Sequence, residues 1–322
     1  MQAEASRGLS VKSRLLVLTG LAAVMAALFL AYGVDDWSYA LPRRLKKAAA
    51  IVLTGFAIAL STVIFQTITN NRILTPSIIG LDALYNLLQT IIVYAFGGMA
   101  FLVVNKQANY LLSIVLMMIF STLLYRLMFR RENSSIYLLL LTGLIFGTLF
   151  QSGSSFMQAL INPDDFLVVQ AKMFASFNNI EYDLLALSYV LIGAVLLWYW
   201  RLSKYMDALS LGKDHALNLG IPYERVTRQL LVIIAVLVAV STALVGPITF
   251  LGLLVANTAY QFLGTYRHPA LIKGAALVSF IALLGGQFLV EHVFTFSTTI
   301  SVIINFAGGA YFLYLLLKEN RA

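Results

Sequence analysis

The stretch "ALSLGKDHALNLGIPYERVTRQ" occupies residues 208–229, and long apolar runs flank it on both sides. Its composition suits a soluble helix–turn–helix. Gly212 and Gly220 divide it, and Pro222 stands where the first turn of a new helix accepts proline. Between the glycines, "KDHALNL" forms a short helix with Asp214 near its positive end. Ala216, Leu217 and Leu219 are apolar on an element outside every apolar run. Either they pack against the ends of the chain's own spans, or they dock in a groove of a soluble partner. The residues alone leave both readings open.

The surroundings of this stretch are lipid-like. Of 322 residues, 60% are hydrophobic and only 11% are charged; mean hydropathy is +0.87. Soluble domains carry about 25% charged residues. Runs long enough for a bilayer, about 20 residues each, fall at 15–32, 48–68, 82–104, 109–129, 136–160, 184–200, 229–248, 250–264, 271–290 and 299–317. The expectation is an all-α integral membrane protein with about ten transmembrane helices. Residues 1–322 form one transmembrane domain, with an extramembrane segment at about 205–224. The run 250–264 is short and follows Gly246–Pro247, which predicts a partial or tilted helix. The first run follows Arg7, Lys12 and Arg14. It is longer than a signal-peptide core and has no small-residue cleavage site before Asp35 and Asp36, so it reads as a retained span.

The net charge is +8, yet the cations sit in short clusters between apolar runs and build no nucleic-acid face. With the N-terminus in the cytosol, alternate counting puts 16 of the 22 Lys and Arg residues on the cytosolic side. These are Arg7, Lys12, Arg14, Arg72, Arg126, Arg130, Arg131, Arg201, Lys204, Lys213, Arg225, Arg228, Arg267, Lys273, Lys318 and Arg321. Arg43, Arg44, Lys46, Lys47, Lys106 and Lys172 face out. The bias supports both termini in the cytosol. It also makes 208–222 cytosolic and isolates one violation, "LPRRLKK" at 41–47.

Chemistry-bearing patterns are absent. There is no cysteine, and no phosphate-binding G-x-x-x-x-G-K-[ST], zinc-binding H-E-x-x-H or G-x-S-x-G pattern occurs. His215, His268 and His292 fall in loops or at span ends, where a lone histidine faces solvent. Asp82 and Arg126 lie near span ends, which leaves the interiors without ionisable groups and disfavours a proton- or ion-coupled carrier. Uncharged polar residues do occur at depth: Gln66, Gln89, Gln151, Ser154, Ser155, Asn257, Gln287 and Asn305. Interhelical hydrogen bonding is their plain role; lining a substrate path is the other. Gly143 and Gly147, spaced G-x-x-x-G, suit close helix packing.

The segment "SLGKDHALNLGIPYERV" resembles the cytosolic coupling segment of iron-chelate ABC permeases, the FecCD type that shares the vitamin B12 permease fold. Gly212, Ala216, Leu219 and Gly220 match that family's L-G-x-x-x-A-x-x-L-G. "LPRR" at 41–44 is similar to its L-P-R, and "NNRILTPSIIG" at 70–80 to its N-P-L-A-x-P-x-x-L-G. "VGPITFLGLLV" at 245–255 and "GGAYFLYLLLK" at 308–318 also fit, in order and with matching spacing. The resemblance implies a type II ABC importer permease in the cytoplasmic (inner) membrane of a bacterium. It implies a second permease, an extracytoplasmic siderophore-binding protein and a separate ATP-binding subunit. ATP and magnesium would act on that subunit, so this chain carries no catalytic residue, cofactor or metal of its own. Gly212, Ala216, Leu219 and Gly220 would couple to the ATPase. Arg43 would face a carboxylate of the binding protein, with Arg44, Lys46 and Lys47 as a basic landing patch or as interfacial anchors. By analogy and polarity, the path would be lined by the fifth run (Gln151, Ser154, Ser155 and Met157) and by Asn257.

The sequence departs from the family in places. Arg72 replaces a proline; Val255, Ala256, Asn257 and Tyr260 stand where most members read V-P-H-x-x-R. Thr299 and Ser301 replace a P-x-G, and Ala310 a later proline. "ALPRRLKKAAAIVLTG" and "STVIFQTITNNRILTPSIIGLD" are similar to the subset that imports ferric catecholate-type siderophores, petrobactin among them, usually beside a second, different permease. Two other readings compete: an ion-coupled secondary transporter of a small organic solute, and an intramembrane enzyme. The first needs buried ionisable groups, and the second needs a cluster of reactive side chains at the membrane face.

Overall fold

The structure is a computed structural model that describes residues 10–34, 36–128, 136–178 and 180–319. Arg7, Arg130, Arg131 and Arg321 of the charge count lie outside the described residues. In chain order the α-helices are α1 (Val11–Ala31), α2 (Trp37–Thr69), α3 (Leu81–Phe96), α4 (Phe101–Val104), α5 (Lys106–Met128), α6 (Ile136–Gln158), α7 (Pro163–Met173), α8 (Tyr182–Leu202), α9 (Met206–Leu209), α10 (Lys213–Asn218), α11 (Tyr223–Val245), α12 (Leu251–Leu263), α13 (His268–His292) and α14 (Ile300–Glu319). Each of the ten apolar runs overlaps one of the ten longest, except that the run 82–104 breaks after Phe96 into α3 and α4. Among the described residues, six segments are long and apolar enough to cross a membrane, and Leu81–Phe96, Leu251–Leu263 and Ile300–Tyr314 are shorter apolar helices.

α2 is the hub and packs on α13, α11 and α12. From Ala50 to Thr69 most of its residues are buried. α1 lies against α13, α5 and α8 against α11, and α14 against α12 and α13. The pair α3 and α6 forms a second block, with α7 across α3.

Two helix ends shape the interior. α12 has 13 residues, about 20 Å of rise, which is short of a hydrocarbon core of about 30 Å. The expected partial helix is present, and the chain before it runs as irregular backbone inside the bundle. That backbone is tolerated at depth only if its polar groups are satisfied. Ser176 N–H donates to Val245 O (2.8 Å), and Phe250 N–H donates to Asn305 Oδ1 (3.3 Å). The second end is the start of α3. Gly80, in the left-handed region at φ 86°, lies on the backbone of α6: a Cβ there would sit 3.0 Å from Gly147 Cα, and one on Gly143 would sit 2.8 Å from Ile79 Cα. The G-x-x-x-G pair therefore serves the approach of a loop to a helix.

α2 corrects one expectation. The apolar run predicts its start near residue 48. Asp36 caps it instead, accepting from Ser38 N–H (2.9 Å) and Tyr39 N–H (3.4 Å), and the helix runs through Pro42. The cations of "LPRRLKK" stand on its first turns.

Candidate functional site

The 208–222 segment sits at one end of the bundle, beside the last turn of α2 and the first of α13, around a first cavity of about 630 Å³ lined by Thr67, Asn70, Asp207, Leu211 and His268 among others. Gly212 (φ 98°) opens α10, and Gly220 (φ 77°) follows it. Both need the backbone freedom of glycine. The two open readings turn out to apply to different residues. Ala216 is fully buried against the chain's own core, whereas Leu211, Leu217 and Leu219 are 59%, 47% and 63% exposed. One face anchors the helix, and the other presents leucines.

The anchor continues into α9 and α13. His268 was expected to face solvent, but it is buried. Its Nδ1 and its backbone N–H meet Asp207 Oδ1, and its Nε2 lies 2.8 Å from Thr67 Oγ1. The segment just before α10 is thus tied to the ends of α2 and α13. His215 on α10 is exposed.

Three of the departures from the family pattern meet at this end. The Arg72 guanidinium lies 4.6 Å from the centre of the Tyr260 ring. Arg72 O accepts from Asn257 Nδ2 (2.8 Å) and Gln66 Nε2 (2.6 Å). The replacements form one interlocked set. Asn257, expected to line the path, gives its Nδ2 to Arg72 O and Leu253 O.

At the opposite end, a cavity of about 550 Å³ is lined by Tyr39, Arg43, Arg44, Lys46, Lys47, Lys106, Glu181 and Glu291 among others. Most of its charge is internally engaged. Arg44 Nη1 donates to Phe29 O (3.0 Å), Leu30 O (3.2 Å) and Tyr32 O (2.7 Å), closing the last turn of α1. Arg44, expected in the docking patch, thus caps α1, since a cation satisfies the orphan carbonyls of a helix C-terminus, while it also lines the cavity. Lys47 pairs with the nearly buried Glu291 at 2.8 Å, and Lys106 with Glu181 at 3.2 Å. Lys46 lies over the Tyr182 ring. Arg43 remains exposed, stacked 3.9 Å from the Tyr39 ring centre.

A third cavity, about 560 Å³, opens between α3, α6, the 173–174 turn, the 247–249 loop and α14. Gln151, Ser152, Asn86, Thr148, Asp82 and Asn305 are in its wall. Of the expected path residues, Gln151 alone lines it. Ser154 is buried and bonded to Thr90 Oγ1 (2.8 Å) and Gln158 Nε2 (2.8 Å). Ser155 is exposed one turn beyond Gln151, and Met157 is half-buried outside the lining. Gln89 joins Asn109, Ser113 and Lys172, and Gln287 joins Asn178 and Glu291. Gln89 thus ties α3 to α5 and α7, whereas Gln287 bonds along α13 and to the loop before α8. Asp82, expected near a span end, stands in the first turn of α3, and that helix start rests on Gly143 and Gly147, midway along α6.

Comparison with known proteins agrees with this geometry. The chain is 60% identical over 96% of its length, and 98% of the relative's, to the petrobactin import system permease YclO of Bacillus subtilis. It is 38% identical over 86% of its length, and 78% of the relative's, to the petrobactin import system permease FatC of Bacillus anthracis. An inward-facing structure of a metal-chelate type ABC transporter superposes with TM-score 0.79 at 21% identity, covering 96% of this chain and 100% of that one. That likeness gives the fold, the type II ABC importer permease. The profile of the FecCD transport family matches residues 6–318, and the chain belongs to that family.

Proposed function

We propose that this chain is the permease subunit of a binding-protein-dependent importer that moves a ferric siderophore of the petrobactin, catecholate type across the bacterial cytoplasmic membrane. The observation that carries the substrate is the 60% identity, over nearly the whole chain, to a petrobactin import permease. The 208–222 end faces the cytosol, and both termini lie there. Leu217 and Leu219, between the hinge glycines 212 and 220, enter a cleft of a separate ATPase that binds ATP and magnesium. Ala216 and the Asp207–His268–Thr67 tie carry the resulting motion into α2 and α13. At the outer face Arg43 meets a carboxylate of the binding protein. A second, different permease closes the third cavity into a shared path, and the exposed faces of α6 and α14 leave room for it.

The test is radio-iron uptake from ferric petrobactin in cells that depend on this permease. Uptake is expected to stop when ATP is depleted and to persist when the proton and electrical gradients are collapsed with ATP maintained. Asp82 is the observation that favours an ion-coupled carrier instead. Uptake that follows the gradients and ignores ATP would establish that reading and overturn ours.

A further inference from the structure

The first cavity lies between the 208–222 segment and the ends of the spans. Ala208, Ser210 and Leu211 line it from the segment, and Arg72, Tyr260 and Tyr266 from the loops and helix ends. Arg72 is exposed there. The centre of the Tyr260 ring lies 4.6 Å from its guanidinium, but a ring neither cancels the charge nor satisfies the N–H donors of the fork. Among the described residues no carboxylate pairs with Arg72; the ion pairs there are Lys47–Glu291, Lys106–Glu181 and His268–Asp207. Asp207 is the one carboxylate among the described wall residues, and His268 holds its Oδ1. Tyr260 stands where the family pattern has its arginine, and Arg72 where it has a proline. The cation has thus changed element, from α12 to the loop after α2, and stayed at this spot. Nothing described inside the chain uses its charge, so the charge serves something outside.

A second observation says what. The cavity is continuous with the leucine face of the segment: Leu211 lines it and is exposed, and Tyr266 in the same wall is 71% exposed. Asn70, the exposed cap of α2, brings its Nδ2 to the opening of α10, where it would lie 4.0 Å from a Cβ on Gly212. We propose that Arg72 receives an acidic side chain of the ATPase subunit, inserted into the first cavity alongside the leucine face. The planar fork matches a carboxylate in shape and spacing. Asn70 adds a donor at the rim, and Leu211 and Tyr266 flank the stem of the acid. Leu217 and Leu219 then supply apolar area, and Arg72 fixes the register in which they land. A headgroup phosphate of the inner leaflet has related chemistry; continuity with the exposed leucines favours the protein acid.

The contact rests on the reading of 208–222 as the ATPase-facing segment, and its test separates the two. The importer is assembled in nanodiscs of neutral or partly anionic lipid. Permease is captured at equal level as wild type, Arg72→Ala, Arg72→Lys, or Leu217→Ser with Leu219→Ser, and ATPase binding is titrated at rising salt. Arg72→Ala is expected to weaken binding about tenfold at low salt, the scale of one charge-assisted hydrogen bond, and to flatten the salt dependence, with Arg72→Lys between. In cells, uptake lost in Arg72→Glu is expected to return when one Asp or Glu of the ATPase becomes Lys, a rescue that a misfolded permease does not give. Wild-type binding and salt dependence in Arg72→Ala, or failure of every such rescue, overturns the proposal. Arg72→Ala that binds ATPase normally but loses its response to anionic lipid assigns the site to a headgroup and overturns it too. Weakened binding in the leucine pair with none in Arg72→Ala strikes the Arg72 contact alone. Wild-type permease that holds no ATPase strikes the importer reading, and the contact with it.

Discussion

The two ends of the bundle look alike in sequence: each has a polar stretch that invites a partner. In three dimensions they differ. At the 208–222 end one alanine is buried and three leucines are left in the open. At the Arg43 end, Arg44, Lys47 and Lys106 are held by carbonyls or carboxylates of the same chain, and Arg43 is left exposed. A run of cations is therefore a poor measure of a docking surface, because helix ends and buried acids consume charge. An apolar side chain on a polar segment is the better one, since nothing within the chain compensates its exposure.

The comparison breaks most visibly at Ala216. Ala216→Trp forces a large side chain into a filled core and is expected to abolish membrane accumulation, read by immunoblot. Leu217→Ser with Leu219→Ser is expected to keep wild-type membrane levels while uptake falls at least about tenfold. Equal accumulation of both variants would mean that the buried and exposed faces are not distinct.

At the other end, Lys47→Met leaves the Glu291 carboxylate nearly buried and without its cation. The expected loss is about 3–5 kcal/mol, and Lys47→Met with Glu291→Met is expected to recover much of it. Thermal unfolding in detergent measures both. A smaller effect separates the two arginines. Arg44→Ala strips three carbonyls of their donor and is expected to cost about 1–3 kcal/mol. Arg43→Ala is expected to leave stability unchanged and to weaken capture of the binding protein.

A pH-dependent effect concerns Lys172 at the end of α7. Its Nζ donates to Gln89 Oε1 at 3.1 Å, and burial pushes its pKa from 10.5 down to about 8. Below about pH 8 the folded and unfolded chains both hold the proton, and the burial penalty is fully present. Between about 8 and 10.5 the unfolded lysine keeps a proton that the folded one has shed, so stability rises with pH. Lys172→Met is expected to remove that rise, read as the melting temperature across the window.

Much of the fold was legible because lipid imposes a simple code. Each apolar run overlaps a helix, and Gly246–Pro247 announced the short α12. What escaped were features set by tertiary contact. The depth of Asp82 follows from Gly80 resting on Gly143 and Gly147, and no local pattern marks a chain that re-enters the bundle. The helical form of 41–47 was hidden by Pro42, which usually ends a helix. α7 was missed although it carried its signals: Pro163 at the first position, Asp164 and Asp165 in the first turn, Lys172 in the last. Within the candidate site, the composition of the coupling segment was legible, but which of its apolar residues turn inward was not. A six-residue helix is too short for periodicity to choose a face.

The central claim is that the leucine face of α10 meets the ATPase and the Arg43 end does not. The chain has no cysteine, so Leu219→Cys and Arg43→Cys each place a single thiol. In membranes holding the whole importer, a short thiol–thiol cross-linker is expected to join Leu219→Cys to a cysteine at the cleft of the ATPase, and Arg43→Cys is expected to give no such product. A cross-link from Arg43→Cys, or labelling of Leu219→Cys by a membrane-impermeant maleimide added outside intact cells, would contradict the account.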